Sequence, residues 1–584
     1  MLHYSCSLSQ TLPERRRCTD TRALQQLHAQ MILTGDIHHL PSLNRLLSLY
    51  LSSPPPAGGP PLARRLFDLC PRSSVLLWNT LIRGLLDQGL PLAALLAGDE
   101  MLRRSPFSPD QFTFPSLLKA CARLAASFEG RTLHGQVLRF GLAGDLYVQA
   151  NLISMYSACG DLLSAREVFH RTGGRNQVLW GSMISALVKN NSPEEALAVF
   201  SEMAESGEEA DEVTLTIAIS ACAELRDLHL GKRLHSAIAA KSCRIRRRGR
   251  RRSSVVLGTA LVDMYAKCGA PDMAKTVFDQ MPERNVVAWS AMISGFAQNN
   301  QCEEALDLLK TMLEEADAKP NAVTLSAALS ACAQMGDLSA GRWIHAYIDR
   351  SGMEWSTSLM NSMADMYAKC GSIEIACEIF DRIPNKDVVS WNVVISGLAI
   401  HGRGELALEK FSQMQREGLK PDDITFIGVL SACSHVGLTE EGRRHYRNMR
   451  RVYGIIPKLE HDGCMVNLLC RAGMLEEAKE FIRGMAAEPG GEVWGALLGG
   501  CAVFDELELA ARAAGQLLGG VETGRDGACV LLSNMLAGRR RWGDKRRVRE
   551  FMEEKGIKKT PGCSSIEVEG VVHEFFSGES QDPE

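Results

Sequence analysis

Long apolar runs are missing from this chain. No stretch approaches the roughly 18 uninterrupted apolar residues that a membrane-spanning helix requires. A strong charge imbalance is missing too: 65 Lys and Arg against 69 Asp and Glu give a formal net charge of −4 over 584 residues. Nucleic-acid binders are usually basic, so the balance argues mildly against one. No Cys-x-x-Cys occurs, which removes the commonest zinc spacing. There is no Gly-x-x-x-x-Gly-Lys-Ser/Thr phosphate loop and no Gly-x-Ser-x-Gly elbow, so the usual nucleotide and acyl-transfer signatures are absent. The N-terminus carries no signal-type apolar core, so the 18 cysteines do not read as a secreted disulfide scaffold. What is present is 45% apolar and 23% charged residues, enough for a substantial core. The length fits several ordinary domains or one long array.

Self-similarity decides for the array. Tryptophans at Trp78, Trp180, Trp289, Trp391 and Trp494 are separated by 102, 109, 102 and 103 residues. Ala-Cys pairs ending at Cys121, Cys222, Cys332 and Cys433 keep nearly the same period, and Met-Tyr-x-x-Cys-Gly recurs from Met155, Met264 and Met366. Each period holds three subunits of about 31–35 residues. In the subunit 388–422, Trp391, Val394, Ile395 and Leu398 follow an i, i+3, i+4, i+7 spacing. Ala407, Leu408, Phe411 and Met414 repeat the pattern after a break at Gly402 and Gly404. That predicts a helix–turn–helix, whose apolar stripe is buried only when neighbours stack on it. The expected fold is all-α, a right-handed superhelical solenoid with a concave face. The same periodicity predicts that Cys121, Cys222, Cys332, Cys433, Cys159, Cys268 and Cys370 are small packing residues, not ligands. His134, His235 and His345, spaced by 101 and 110, read as a structural position.

Phrases such as "VVSWNVVISGLAIHG", "ALVDMYAKCG", "LSACAQMGDLSAGRWIHAYI" and "AKTVFDQMPERN" resemble the land-plant pentatricopeptide repeat proteins, within them the class that alternates ordinary, long and short repeats. Residues 1–18, Ser-rich at first and then arginine-rich, resemble an organellar transit peptide; an irregular tail is the other reading. The resemblance frames 19–39 as a partial repeat, 40–490 as about 13 repeats, 491–560 as C-terminal extension motifs and 561–584 as the truncated start of a deaminase-type domain. The short repeat 40–74 is stretched by a Pro/Gly insert from Ser52 to Pro61.

The resemblance implies that each repeat faces one RNA base, read by its fifth and last residues. Asn79 with Asp110, Asn361 with Asp387 and Asn392 with Asp422 then read uracil. Thr259 with Asn285 and Ser290 with Asn321 read adenine, and Asn44 with Ser74 a pyrimidine. Ala150 with Asn176 and Gly181 with Asp211 depart from the family's combinations and receive no base. The implied target carries A, A, any base, U, U, then about five unassigned bases before an edited C, with a further U five bases ahead of the first A.

The family's deaminase holds zinc through His-x-Glu and Cys-x-x-Cys. None of the 14 histidines has Glu two residues on, and His573 precedes Glu574 directly. No catalytic residue, metal or other cofactor is therefore expected. The implied role is single-stranded RNA recognition in a mitochondrion, or alternatively a chloroplast, for C-to-U editing. A deaminase-domain protein would act in trans, with multiple organellar RNA editing factor proteins as further partners and no membrane. RNA stabilisation, splicing or translation is an alternative role, and a protein-binding scaffold is an alternative of another class.

Two basic clusters offer backbone contacts through charge neutralisation. Arg246, Arg247 and Arg248 belong to the run Arg244 to Arg252, for which a nuclear signal or a solvated insertion are the other readings. Arg540, Arg541, Arg546 and Arg547 belong to the cluster beginning at Arg539.

Overall fold

The computed structural model describes residues 21–52, 59–68, 74–104, 107–246, 255–314, 318–485, 487–519, 525–557, 563–568 and 571–576. The transit-like segment 1–18, most of the Ser52 to Pro61 insert, and Arg247 and Arg248 lie outside these residues, as does the side chain of Arg246. Among the described residues are 31 α-helices: Thr21–Thr34, then fifteen consecutive helix pairs. An antiparallel two-stranded ribbon follows, Cys563–Val568 against Val571–Phe576, with Ile566 opposite His573. The chain divides into two compact units, Met1–Arg284 and Asn285–Glu584, each built from the same pair.

The pair Val388–Ile400 and Gly404–Arg416 shows why. Asp387 caps the first helix by accepting from Ser390 N at 2.8 Å, which supplies one of the amides that a helix start leaves unpaired. Trp391, Val394, Ile395 and Leu398 are buried on one stripe, and Ala407, Phe411 and Met414 answer them from the second helix. Gly402 turns between the helices at φ 71°, a left-handed conformation that disfavours any side chain. The Trp ring meets Phe380 edge to face, with centroids 4.9 Å apart, and Trp180 meets Phe169 likewise at 5.0 Å.

The recurring Met-Tyr-x-x-Cys-Gly string has a separate physical reason at each letter. Met155, Met264 and Met366 fill the space over Gly130, Gly231 and Gly341, where a Cβ would collide with the sulfur. Tyr156, Tyr265 and Tyr367 share hydrogen bonds with Nδ1 of His134, His235 and His345 at 2.8, 2.9 and 2.9 Å. The last Gly, at 160, 269 and 371, ends the helix with φ of 74°, 73° and 89°. The histidines thus join the second helix of a long repeat to the first helix of the next short repeat. His28 and Tyr50, 3.0 Å apart, repeat the link and give helix Thr21–Thr34 the same part.

Cys121, Cys222, Cys332 and Cys433 are buried at helix–helix contacts, and burial pushes their thiols up to about 12. Cys370 Sγ donates to the carbonyl of Cys332 at 3.6 Å. Among the described residues no group of His, Cys, Asp or Glu is arranged to hold a metal.

First helices stack directly on first helices. Val388–Ile400 packs on Asp423–Val436, which packs on Leu459–Arg471, while consecutive second helices touch through side chains, as Arg443 does with Glu477 at 2.5 Å and Phe411 with His445 at 5.4 Å between ring centres. The last pair runs Arg525–Gly538 and Trp542–Glu554. Asp526 falls in its first turn, where the helix dipole favours an acidic side chain.

Candidate nucleic-acid interface

The last residue of most repeats, Asp387, Asp422, Asn321 and Asn285 among them, is the N-cap of the next repeat's first helix, and Asp110 stands two residues before the N-cap Phe112 of Thr113–Leu124. The fifth residue lies just over one turn into the preceding first helix. Because first helices stack, the two meet. Asn79 Nδ2 donates to Asp110 Oδ1 at 3.0 Å, Asn361 Nδ2 to Asp387 Oδ1 at 3.1 Å and Asn392 Nδ2 to Asp422 Oδ1 at 2.9 Å. Ser290 Oγ donates to its own helix at Val286 O at 2.8 Å, shares a 2.6 Å bond with Thr324 Oγ1 and lies 3.5 Å from Asn321 Oδ1.

Capping determines which atom remains available. In Asp110, Asp387 and Asp422 every described hydrogen bond falls on Oδ1, which accepts the backbone amide of Thr113, Ser390 or Thr425. Oδ2 is left as the outward acceptor. Asn321 Oδ1 likewise accepts Thr324 N at 2.9 Å, which leaves Nδ2 as an outward donor. Burial raises the Asp110 carboxyl, but bonds from Asn79, Thr113 and the amides of Phe112 and Thr113 outweigh this and hold it below its ordinary value. Burial also raises Asp387, and the Ser390 and Asn361 bonds bring it below the ordinary value in the same way. Both are ionised at neutral pH.

Other expected positions behave differently. No described bond joins Asn44 to Ser74: Asn44 Oδ1 accepts from Thr80 Oγ1 at 2.6 Å, and Ser74 caps Val75–Asp87. Thr259 and Asn285 belong to different units. Thr259 Oγ1 donates to its own helix at Val255 O, and Asn285 caps Val286–Gln298. Ala150 is buried without a polar group. At Gly181 a Cβ would stand 2.8 Å from Thr214 Oγ1, so the stack closes over that position.

A feature not read from the sequence lies beside these pairs. The second residue of most repeats is apolar yet exposed: Leu76 and Val178 in the first unit, Val287, Val323, Val389 and Ile424 in the second, each 53–62% exposed. One turn from the polar pair, they offer flat apolar contact to a ring. The signal was an apolar residue two places after each cap, off the i, i+3, i+4, i+7 stripe.

The second basic cluster is partly neutralised. Arg539 pairs with Asp505 at 2.6 Å, and Arg541 and Arg547 both pair with Asp544. Arg549 Nε donates to Ser533 Oγ at 3.1 Å. Arg540, at φ 57° in the turn, and Arg546 are exposed and have no acidic partner among the described residues.

The chain matches the PPR repeat family over 175–224, 284–334 and 386–435, the PPR repeat over 77–105, 259–286, 358–388 and 463–488, and the E motif over 504–567. A putative pentatricopeptide repeat-containing protein of Arabidopsis thaliana is 39% identical over 97% of this chain and 99% of its own length. A chloroplastic pentatricopeptide repeat-containing protein of the same plant is 37% identical over 97% of this chain and 79% of its own length. A mitochondrial one is 35% identical, over 97% and 86%. Among solved structures, the pentatricopeptide repeat protein PPR10 in complex with an 18-nt psaJ RNA element is 16% identical with a TM-score of 0.49, covering 88% of this chain and 84% of that one.

Proposed function

The chain belongs to the pentatricopeptide repeat family, whose repeats are not catalytic, and on that premise we propose that it is a sequence-specific binder of single-stranded RNA. The observation that carries this is the Asn–Asp bond, repeated at one frame position in three repeats, with one carboxylate oxygen and one amide hydrogen left over each time. Uracil offers N3–H and an adjacent carbonyl. Asp Oδ2 accepts the first, and Asn Nδ2 donates to the second. Cytosine, with a bare N3 and an amine, opposes both. Where the cap is Asn321, the outward group is a donor, which matches N1 of adenine, and the shorter Ser290 leaves room for the larger ring. Asp has no reason to be presented this way in a peptide groove, which disfavours the scaffold reading.

The base assignments by the pairs, the frame boundaries and the RNA order A, A, any, U, U belong to this reading. So does the role in C-to-U editing within an organelle, with a deaminase supplied in trans and docked on the C-terminal extension. The E motif match and relatives named chloroplastic and mitochondrial support it. The experiment is equilibrium binding of the purified chain to short RNAs with and without the AAnUU core. Binding that ignores the core overturns the frame. Transcript sequencing in plants lacking the protein then separates the roles. Loss of editing at cytidines downstream of that core is expected, whereas intact editing with altered ends or unspliced introns assigns the stabilisation or splicing role instead.

A further inference from the structure

Two of the three Asn–Asp pairs contain a third member. Thr425 Oγ1 donates to Asn392 Oδ1 at 2.6 Å, and Thr113 Oγ1 donates to Asn79 Oδ1 at 2.7 Å. Both threonines are fully buried third residues of the following repeat. Each hydroxyl also receives the cap residue's own amide, Asp422 N at 3.1 Å and Asp110 N at 3.2 Å. Each hydroxyl also stands 2.8 or 2.9 Å from the cap oxygen, Asp422 Oδ1 or Asp110 Oδ1, but its one proton belongs on the closer Asn carbonyl, because two oxygens at 2.6–2.7 Å repel without one. The amide is thereby fixed with its carbonyl toward Thr and its nitrogen toward Asp. The Asn side chain is held from both ends.

The pair Asn361 and Asp387 lacks this hold. Its third residue is Ser390, whose hydroxyl donates to Asp387 Oδ1 at 2.9 Å and not to the amide. Asn361 Oδ1 is buried with no hydrogen-bond partner in a side chain only 5% exposed. A buried acceptor in that state gains from any donor that reaches it.

We propose that the third residue of the following repeat is a positioning residue for base discrimination. Threonine there makes the Asn a donor only and the repeat strict for uracil, while Ser390 leaves repeat 357–387 tolerant of cytosine. This rests on the base-reading function above. At 388–422 the only group Asn392 can turn to a base is an N–H, which matches a uracil carbonyl and opposes the cytosine amine. At 357–387 a rotation about χ2 turns the unpartnered Asn361 Oδ1 toward that amine and satisfies it. Two neighbouring repeats with the same reading pair thus differ in stringency, which a rule based on two residues per base does not allow.

The test uses the full chain and RNAs containing AAnUU, with C replacing either the first U (facing 357–387) or the second (facing 388–422). One net hydrogen bond is worth about three- to tenfold in affinity. The second replacement is therefore expected to weaken binding by about that factor more than the first. Ser390→Thr should raise the penalty at the first U and leave the second unchanged. Thr425→Ser should lower the penalty at the second. Melting curves check that each variant folds, and a merely structural effect would weaken all RNAs alike without moving the U-to-C ratio. Equal penalties at both positions, unmoved by either substitution, overturn the role of the third residue while leaving the reading pairs intact. Indifference to C at both positions overturns the reading pairs and this proposal with them.

Discussion

At the scale of single residues, one carboxylate does two jobs on two oxygens. Asp422 Oδ1 caps a helix and holds Asn392, and Oδ2 faces outward. The two jobs separate by substitution. Asp422→Asn keeps a capping oxygen, as Asn321 does in its own repeat, but turns the outward acceptor into a donor. The melting temperature should hardly move while affinity for RNA with U at that position falls about tenfold or more and the U-over-C preference inverts. Asp422→Ala should lose both, with about 1 kcal/mol of stability from the missing cap. Thermal melts and binding to paired U and C oligonucleotides read the two effects apart. The fifth and last residues were singled out by the family resemblance, and their polar character was plain in the sequence. That the cap consumes Oδ1, and that Asn361 Oδ1 is stranded, was not, because both depend on the distance between helices some 30 residues apart.

At the scale of elements, the His–Tyr links carry a pH dependence. Burial lowers His134 below its ordinary value, with Arg171 adding to the effect and Glu167 opposing it; burial alone lowers His235. The unfolded chain therefore binds more protons than the folded one between the lowered value and about 6.5. Their contribution to stability is complete above about 6.5 and is lost as pH falls from there through the folded value. Urea denaturation at pH 7.5 and 5.5 should show lower stability at the acid pH, and His134→Gln with His235→Gln should remove part of that difference. Tyr367→Phe should cost about 1 kcal/mol in the same assay, because His345 Nδ1 loses its partner. The periodic histidines could be recognised as structural from their spacing. Their tyrosine partners could not be, since the link crosses from one repeat to the next.

At the scale of the whole molecule, charge has to be located, not summed. The formal net charge of −4 hides clusters of arginine, and the structure neutralises part of one of them. Asp505 and Asp544 pair with Arg539, Arg541 and Arg547, whereas Arg540 and Arg546 are exposed with no acidic partner among the described residues. If both meet phosphates, Arg540→Gln with Arg546→Gln should flatten the slope of log affinity against log salt by about 1.4, near 0.7 per contact for single strands. Arg541→Gln should change it little, and the comparison by salt titration distinguishes a phosphate contact from a surface ion pair.

The sequence by itself determined the class of fold and the helix pair. These follow from short-range periodicity: an apolar stripe that one pair cannot bury, a cap at each start and a glycine at each turn. Only the tertiary structure decided which lone pairs stay open, which arginines are already neutralised and where the exposed apolar ladder runs. Those properties belong to atoms from different repeats brought within about 3 Å, and no local pattern encodes that distance.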